Sequence, residues 1–346
     1  MYPYITPDYF PLLDIYSAEK PDFLLPFLEA PVLKRLADIT QGCGTEYSQF
    51  YTFNITQSRL THSIGVALII RHFTHDEKQT LAGLFHDISH SIFSHVGDFL
   101  LGDPENQESS EQHMNKLLSE DPIILKELEK LGITITEVDD YTLYPIADNH
   151  GPQLSADRLE YTLSTALVFG TRTLDEIRIM YDNITTWEDE QGISELGFSD
   201  PLIAKQFALL ALENDASIFS SYKSVVSMYF LAEILRKMMD RQLITHEQMY
   251  IWTESQAIST LLENWDTELI AMWKFYEQLW TYKTYVHKPQ SDFFMVSSKT
   301  KKRYIDPLVK IEHTSKRISA LFPDIKELFT LHIHPEEVWI EIDWKA

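Results

Sequence analysis

Apolar residues recur at intervals of three and four along most of this chain of 346 residues, and this period restricts the fold more than any other feature. It is present in "DFLLPFLEAPVLKRLADIT" (22–40) and "RLTHSIGVALIIRHF" (59–73), and the segment from Ser221 to Leu243 is rich in helix-forming residues. An α-helix turns once in about 3.6 residues, so side chains at these intervals share one face. The sequence therefore predicts a mainly α-helical chain.

The pattern changes towards the C-terminus. The stretches "DFFMVSS", "KKRYIDPLVKI" and "EVWIEIDW", found between residues 292 and 344, carry alternating or β-rich patterns. We therefore expect a helical domain over residues 1–285 and a small α+β segment over residues 286–346. Three polar stretches, 102–112, 185–201 and 286–291, are expected to be exposed loops.

The charge of the chain restricts its partners. The formal net charge is -23, and such a surface repels long nucleic acids, whose binding depends on neutralising phosphates. A small phosphorylated ligand needs only a local cationic pocket. The single cysteine, Cys43, cannot form an internal disulfide and suits a reducing compartment. Because neither a signal peptide nor an apolar run of about 20 residues is evident, we expect a soluble cytoplasmic protein with no membrane partner.

The stretch "AGLFHDISHSIFSH" (82–95) places His86, Asp87, His90 and His95 among apolar residues that belong in a core. Buried histidine and aspartate side chains need either hydrogen-bond partners or a metal ion. On a helix, His86 and His90 would share one face, and Asp87 could reach the same point if the helix ended against a cavity. Imidazole nitrogens and carboxylate oxygens are good ligands for a divalent metal.

Further ligands must come from other segments. His62 lies within the apolar stretch 59–73, and Asp157 lies within "LSADRLEYTL" (154–163). Taken singly, each could be an ordinary hydrogen-bonded core residue. Taken together with the His-Asp pair of the previous stretch, they would supply two imidazoles and two carboxylates and leave coordination positions for water and a phosphate.

The order of these residues resembles the H…HD…D signature of the HD-domain phosphohydrolases. The flanking sequences are similar to the deoxynucleoside triphosphate triphosphohydrolase (dGTPase-like) branch of that superfamily. The matching stretches are "APVLKRLADITQGCG" (30–44), "SRLTHSIGVA" (58–67), "AGLFHDISHSIFSHVGDF" (82–99), "LSADRLEY" (154–161) and "KTKKRYIDPLV" (299–309). The resemblance implies a helical bundle with an HD core at about residues 50–170.

The resemblance also implies roles for individual residues. One divalent ion (Mn, Fe, Co, Ni, Zn or Mg) would be bound by four ligands: His62, His86, Asp87 and Asp157. The positions that match catalytic and phosphate-contacting residues are His90, His95 and Asp98. The positions that match substrate-binding residues are Arg59 and Arg158, which would hold phosphates, and Tyr161, which would lie beside the sugar.

The sequence departs from this branch in two places. The branch has a catalytic His-Glu pair near residue 110; one register places Ser110 and Glu111 there, and the other makes His113 the catalytic histidine. The Arg-Asp pair that follows the tyrosine in the branch is Ser164-Thr165 in this chain. Because that aspartate contacts the sugar, its loss predicts looser discrimination between ribose and deoxyribose.

Several residues have a structural interpretation beside the functional one. Arg59 could be a buried ion-pair residue, and Asp98 could be a charge at a helix end. Lys301, Lys302 and Arg303 are expected to form a solvated turn between two strands; the resemblance alternatively implies that they reach the nucleotide of a neighbouring subunit. The remaining histidines that we interpret as surface or structural are His72, His75, His150, His246 and His287.

The resemblance predicts a metal-dependent phosphohydrolase that cleaves a nucleotide phosphoester or phosphoanhydride, including the option of a (deoxy)nucleoside triphosphate triphosphohydrolase. Its substrate would be a small phosphorylated molecule, and a homo-oligomer is compatible with it. Two alternatives remain open. One is a non-catalytic HD-fold nucleotide sensor or scaffold. The other is a di-iron HD-type oxygenase, in which His90 and His113 would bind the second iron.

Overall fold

The structure is a computed structural model that describes residues 2–105, 113–312 and 314–345. Its α-helices are α1 (Phe10–Tyr16), α2 (Pro31–Arg35), α3 (Arg59–Thr74), α4 (Glu77–Phe85), α5 (Val96–Leu101), α6 (Met114–Glu120), α7 (Pro122–Leu131), α8 (Ala156–Val168), α9 (Leu174–Asp182), α10 (Pro201–Asn214), α11 (Tyr222–Asp240), α12 (Gln248–Ile251), α13 (Glu254–Glu263), α14 (Thr267–Glu277), α15 (Ile318–Leu321) and α16 (Pro323–Ile333). The strands are β1 (Ile184–Glu188), β2 (Ser194–Phe198), β3 (Lys283–Tyr285), β4 (Phe293–Ser297), β5 (Leu308–Ile311), β6 (Thr314–Arg317) and β7 (Trp339–Lys345). The prediction of a mainly helical chain is confirmed. Within the described ranges, no helix combines the length and the apolar character that crossing a membrane requires.

The helical period marks real helices, but proline residues decide how long they are. Residues 59–73 and the segment from Ser221 to Leu243 form α3 and α11, as expected. The stretch 22–40 is instead divided into short 3₁₀ turns and the five-residue helix α2. Pro26 and Pro31 interrupt this stretch, because proline lacks the N–H that continues a helix.

The C-terminal segment does not stand apart from the helical body. The stretch 185–201, expected as a loop, contains most of the antiparallel hairpin formed by β1 and β2. Strand β5 pairs in parallel with β2 and carries β6 on its other edge, giving the order β1-β2-β5-β6. Gly197 permits this approach, because a Cβ atom there would lie 2.7 Å from the Leu308 carbonyl oxygen. A second, antiparallel sheet has the order β3-β7-β4.

Two clusters of buried apolar side chains form the core. The first joins the N-terminal helices with α3, α4, α8 and α10, and the second surrounds α11, α13, α14 and the β3-β7-β4 sheet. The stretch 82–95 passes from one cluster to the other, because Phe85 and Ile88 belong to the first while Ile92 and Phe93 belong to the second. Its polar side chains therefore lie at the boundary between the two clusters.

Candidate metal centre

Three helix ends meet at this boundary and bring the predicted metal ligands together. Helix α3 begins after Ser58, whose hydroxyl accepts a hydrogen bond from the Thr61 N–H. Helix α8 begins after Ser155, which caps the Arg158 N–H in the same way. Such N-caps fix where a helix starts. As a result, His62 and Asp157 lie in the first turns of α3 and α8.

The four predicted ligands converge on one point. The Nε2 atom of His62 lies 3.2 Å from Nε2 of His86 and 3.0 Å from Oδ1 of Asp157. Nε2 of His86 lies 3.7 Å from the same Asp157 oxygen and 3.4 Å from Oδ1 of Asp87. Oδ2 of Asp87 lies 3.9 Å from Nε2 of His62. We call these four residues the metal cluster.

The spacing within the metal cluster fits a divalent ion. Zinc-type ligands bind at about 2.0–2.2 Å, so two ligands that subtend 90–109° at the ion lie roughly 3.0–3.5 Å apart. The measured separations of 3.0–3.9 Å cover this range. His62, His86 and Asp87 are all buried, and their ligand atoms lie within 4.8 Å of one another. The donor set and its spacing thus match a metal site.

Both imidazoles are oriented by a partner on their other nitrogen. Nδ1–H of His86 donates to the Gly83 carbonyl oxygen at 2.7 Å, which leaves Nε2 with a lone pair for a metal. Nδ1 of His62 is hydrogen bonded to the Glu160 carboxylate. A carboxylate behind a metal-bound histidine fixes its tautomer and raises its basicity.

Glu160 is fully buried and is itself held in place. It accepts a hydrogen bond of 2.5 Å from the Tyr9 hydroxyl and one of 3.2 Å from the Ser164 hydroxyl. Gly65 on α3 gives it room, because a Cβ atom there would lie 2.8 Å from Glu160 Cγ. Ser164 therefore supports the group that orients His62.

The carboxylates around His62 favour a positive charge at the centre of the metal cluster. Burial alone would favour a neutral His62 ring, but the charges of Glu160 and Asp157 raise its pKa to about 10. Burial alone would raise the pKa of Asp157, but its hydrogen bond to His62 lowers it to about 2. In the metal-free protein a proton on His62 is therefore stabilised between carboxylates, and a divalent ion must displace that proton.

Helix α4 ends at Phe85, so the expected shared helical face of His86 and His90 is wrong. Residues 86–95 form turns, in which the His90 N–H donates to the Asp87 carbonyl oxygen at 3.0 Å. Phe93 and Ser94 have positive φ angles of 59° and 58°. His86 reaches the metal cluster because it directly follows the last helical residue at the edge of a cavity.

The catalytic candidates near these turns have different partners. Nε2 of His90 is 3.0 Å from Oδ1 of Asp87, so His90 supports a metal ligand. Nδ1 of His95 is 2.9 Å from the buried Asp98 carboxylate, which orients the ring. Burial lowers the pKa of His95 to about 3. The His90 and His95 rings lie edge to face with centroids 4.8 Å apart, and both line the cavity.

Arg59 is an ion-pair residue in this structure. Its Nη1 atom lies 3.0 Å from Oδ2 of Asp87, and its Nε–H donates to the Ser94 hydroxyl at 2.9 Å. Both charged side chains are about 5% exposed, so the pair is shielded from water. Arg59 lines the cavity as well, and its role in phosphate binding stays a prediction.

The cavity above the metal cluster has a volume of about 650 Å³. Arg158 lines it, and its guanidinium lies 2.9 Å from the Asp148 carboxylate and donates to Asn149 Oδ1 at 2.8 Å. Tyr161 also lines the cavity and packs edge to face against Phe219 at 5.5 Å. The other aromatic lining residues are Phe53, Tyr141, Phe169 and Tyr304. The cavity thus combines a metal cluster, a cation and flat apolar surfaces.

Lys301, Lys302 and Arg303, which we call the cationic segment, line the same cavity. All three are partly buried, and the expectation of a solvated turn is therefore wrong. They lie between β4 and β5, and the sheet pairing brings this connection over the cavity. The cationic segment thus lines the cavity of its own chain, and its alternative role at a neighbouring subunit stays a prediction.

The structure does not bring His113 to the cavity. Its ring packs on Tyr250, with centroids 4.0 Å apart, and lies near His246. The alternative register, which uses Ser110 and Glu111, lies outside the described residues. Asp98 contacts His95, which lines the cavity.

Several residues in and around the site were not predicted from the sequence. Glu160 carried a usable signal, an acidic residue one helical turn after Asp157 within an apolar helix. Tyr9 and Tyr141 carried none, since they come from distant segments. The Tyr141 ring lies 5.1 Å from that of His86 and lines the cavity. Thr165, which the sequence resemblance matches to an aspartate of the dGTPase-like branch, lines the cavity.

Comparisons with known proteins agree with this geometry. The family model "HD domain" matches residues 59–150. The uncharacterized protein YdhJ of Bacillus subtilis is 28% identical over 266 residues, covering 75% of this chain and 77% of that protein. The metal-dependent phosphohydrolase cns2 of Cordyceps militaris is 31% identical over 167 residues, covering 47% of this chain and 46% of that protein.

Solved structures share the fold. A hypothetical protein from Aquifex aeolicus has a TM-score of 0.66 at 16% identity and covers 94% of this chain and 93% of its own. A phosphohydrolase from Bacteroides thetaiotaomicron has a TM-score of 0.66 at 14% identity, covering 95% of this chain and 97% of its own. At these identities the likeness concerns the fold alone. The family match shows that the chain contains an HD domain at residues 59–150, and this domain includes three residues of the metal cluster, His62, His86 and Asp87.

Proposed function

We propose that this protein hydrolyses a phosphoester or phosphoanhydride bond of a nucleotide, using one divalent metal ion bound by His62, His86, Asp87 and Asp157. The observation that carries the proposal is the cavity itself. Its floor is the metal cluster, its lining includes Arg158 and the cationic segment, and aromatic side chains complete it. A volume of about 650 Å³ is within the range of small-molecule sites.

The bound ion would lower the pKa of a water ligand and polarise a phosphoryl oxygen. The protein's own residues would supply the remaining tasks. The negative charge of a bound phosphate would raise the pKa of His95 above its value in the empty cavity, and the ring, oriented by Asp98, would then give a proton to the leaving oxygen. Arg158 and the cationic segment would neutralise phosphate charge. Tyr161 and Phe219 offer adjacent aromatic surfaces for a sugar or base.

The two alternative functions have less support. A di-iron oxygenase would need ligands for a second iron, but His113 lies against Tyr250 and His90 is bound to Asp87. A non-catalytic sensor would not require both predicted metal-binding histidines, His62 and His86, to be oriented by buried partners on their second nitrogen.

A nucleotide screen tests the proposal. Purified protein would be supplied in turn with Mn²⁺, Fe²⁺, Co²⁺, Ni²⁺, Zn²⁺ and Mg²⁺ and with nucleoside mono-, di- and triphosphates, and products identified by chromatography. We expect turnover of at least one nucleotide that depends on added metal. Absence of turnover with every combination, in protein that binds metal, would reject the hydrolase and favour the sensor.

A further inference from the structure

Lys302 differs from two other cavity cations, Arg59 and Arg158, in what its charge contacts. The Arg59 and Arg158 guanidinium groups each lie within 3.0 Å of a carboxylate oxygen. The Lys302 ammonium donates only to Ser220, at 2.8 Å to the hydroxyl and 3.2 Å to the carbonyl oxygen. In the described part of the chain, no carboxylate oxygen lies within 4.0 Å of it. Its charge is therefore not cancelled by a direct partner.

The serine that contacts Lys302 is itself hydrogen bonded to a buried carboxylate. The Ser220 hydroxyl is 2.7 Å from Oδ2 of Asp215, and Nε2 of His332 on α16 is 2.8 Å from the same oxygen. Asp215 is fully buried and Ser220 is 2% exposed. An ionised carboxylate accepts hydrogen bonds only, so the hydroxyl proton points to Asp215 and the hydroxyl lone pairs face Lys302.

The backbone that carries Asp215 departs from a regular α-helix. Residues Asp215–Phe219 form a π-helical turn between α10 and α11. The same turn places Ile218 and Phe219 on the cavity lining. Single π-helical turns are rare and occur frequently at functional sites. One turn thus supplies both an aromatic cavity wall and the support of a lysine.

We propose that Lys302 binds a phosphate group of the substrate at a subsite distinct from the metal cluster, and that Asp215 is a positioning residue that acts on Lys302 through Ser220. The inference rests on the proposed function. A lysine fixed through two of its three N–H groups keeps one for a ligand. Anchoring its flexible side chain beforehand also reduces the entropy that is lost when the ligand binds.

The test measures anion binding and turnover separately. Calorimetry on metal-free protein would report binding of inorganic tripolyphosphate, and steady-state kinetics would use whichever nucleotide is hydrolysed. We expect Lys302→Met to raise both the tripolyphosphate Kd and the substrate KM about tenfold or more, the usual range for a charged hydrogen bond, with kcat changed less. Lys302→Arg should retain most of the binding.

The positioning role is tested by a double-mutant cycle. Asp215→Asn should raise the same Kd a few-fold in the wild-type protein and should have no further effect in Lys302→Met. Additive effects of the two substitutions would reject the positioning role. Ser220→Ala, which keeps the carbonyl contact, should resemble Asp215→Asn. Melting temperatures of all variants separate misfolding from lost binding.

Lys299→Met is the matched control, because Lys299 belongs to the same connection, is 57% exposed and pairs with Glu337 at the surface. It should leave the Kd and KM unchanged. If no nucleotide is turned over but Lys302→Met still weakens tripolyphosphate binding, the subsite stands and the hydrolase proposal fails. If a nucleotide is hydrolysed and Lys302→Met changes neither KM nor Kd, the subsite is rejected while the hydrolase stands.

Discussion

The metal cluster and the cationic segment face one cavity but are positioned in different ways. The metal cluster is held by helix ends, and both of its imidazoles have a second partner behind them. The cationic segment lies in an irregular connection, held by contacts such as that of the Lys301 N–H with the Pro104 carbonyl oxygen at 3.2 Å. Metal ligands must be placed within a few tenths of an ångström, whereas charge neutralisation tolerates more variation. We therefore expect substitutions in the metal cluster to abolish hydrolysis. Substitutions in the cationic segment should instead weaken substrate binding.

The largest effect is expected from the double variant His86→Ala, Asp87→Ala. Elemental analysis should show loss of the bound metal, and turnover should fall by roughly 10³-fold or more, since metal catalysis supplies several kcal/mol. The control is the double variant His287→Ala, Asp292→Ala, which removes the same two residue types from exposed positions. It should change neither the metal content nor the turnover. Equal metal content in both double variants would contradict the ligand assignment.

The next effect separates two histidines of one turn region. His95→Ala should retain the metal and lose about 10²–10⁴-fold in kcat, because a general acid is removed. His90→Ala should reduce metal affinity as well as turnover, since His90 contacts the ligand Asp87. Metal titrations and kinetics on both variants check this. Full activity of His95→Ala would reject its role as the acid.

Glu160→Gln tests the carboxylate that orients the predicted metal ligand His62. Loss of the carboxylate behind His62 should reduce metal affinity by about 10–100-fold. The control is Glu254→Gln: burial and the nearby Glu46 charge raise the pKa of Glu254 to about 8, so this fully buried acid is mostly neutral at pH 7. Its amide replacement should leave metal affinity unchanged. Similar affinities of the two variants would show that Glu160 does not support the metal.

Arg158→Met tests the residues of the cavity that would bind the substrate. Removing a cation that is held by Asp148 and Asn149 should raise KM about tenfold, while metal content stays at one ion per chain. Elemental analysis beside steady-state kinetics checks both halves. A loss of metal in this variant would show that the two regions are not separable.

The smallest effect concerns the sugar. Thr165 lines the cavity, and the sequence resemblance matches it to an aspartate that contacts the sugar in the dGTPase-like branch. We expect kcat/KM for a ribonucleotide and its deoxy counterpart to differ by less than about tenfold, because no buried acid is left unpaired by the missing hydroxyl. Measuring both substrates side by side decides it. Strict selectivity for one sugar would mean that another residue makes this contact.

The four metal-cluster residues were predictable because their signal is local. His62, Asp157 and the pair His86-Asp87 are polar residues inside apolar periodic stretches, and such placement is costly unless something binds them. Their convergence follows from packing three helices whose apolar faces share one core. The helical class of the fold was predictable for the same reason, since its period is written in consecutive residues.

The sequence by itself thus determined the helical class and the residues able to bind a metal. Only the tertiary structure decided that α4 ends at Phe85, that β5 pairs with β2, and that the cationic segment lines the cavity. Only the tertiary structure brings Asp215 to His332, which are 117 residues apart in the sequence, and His62 to Glu160, which are 98 residues apart. Contacts between distant segments leave no local period, because each depends on how whole elements pack.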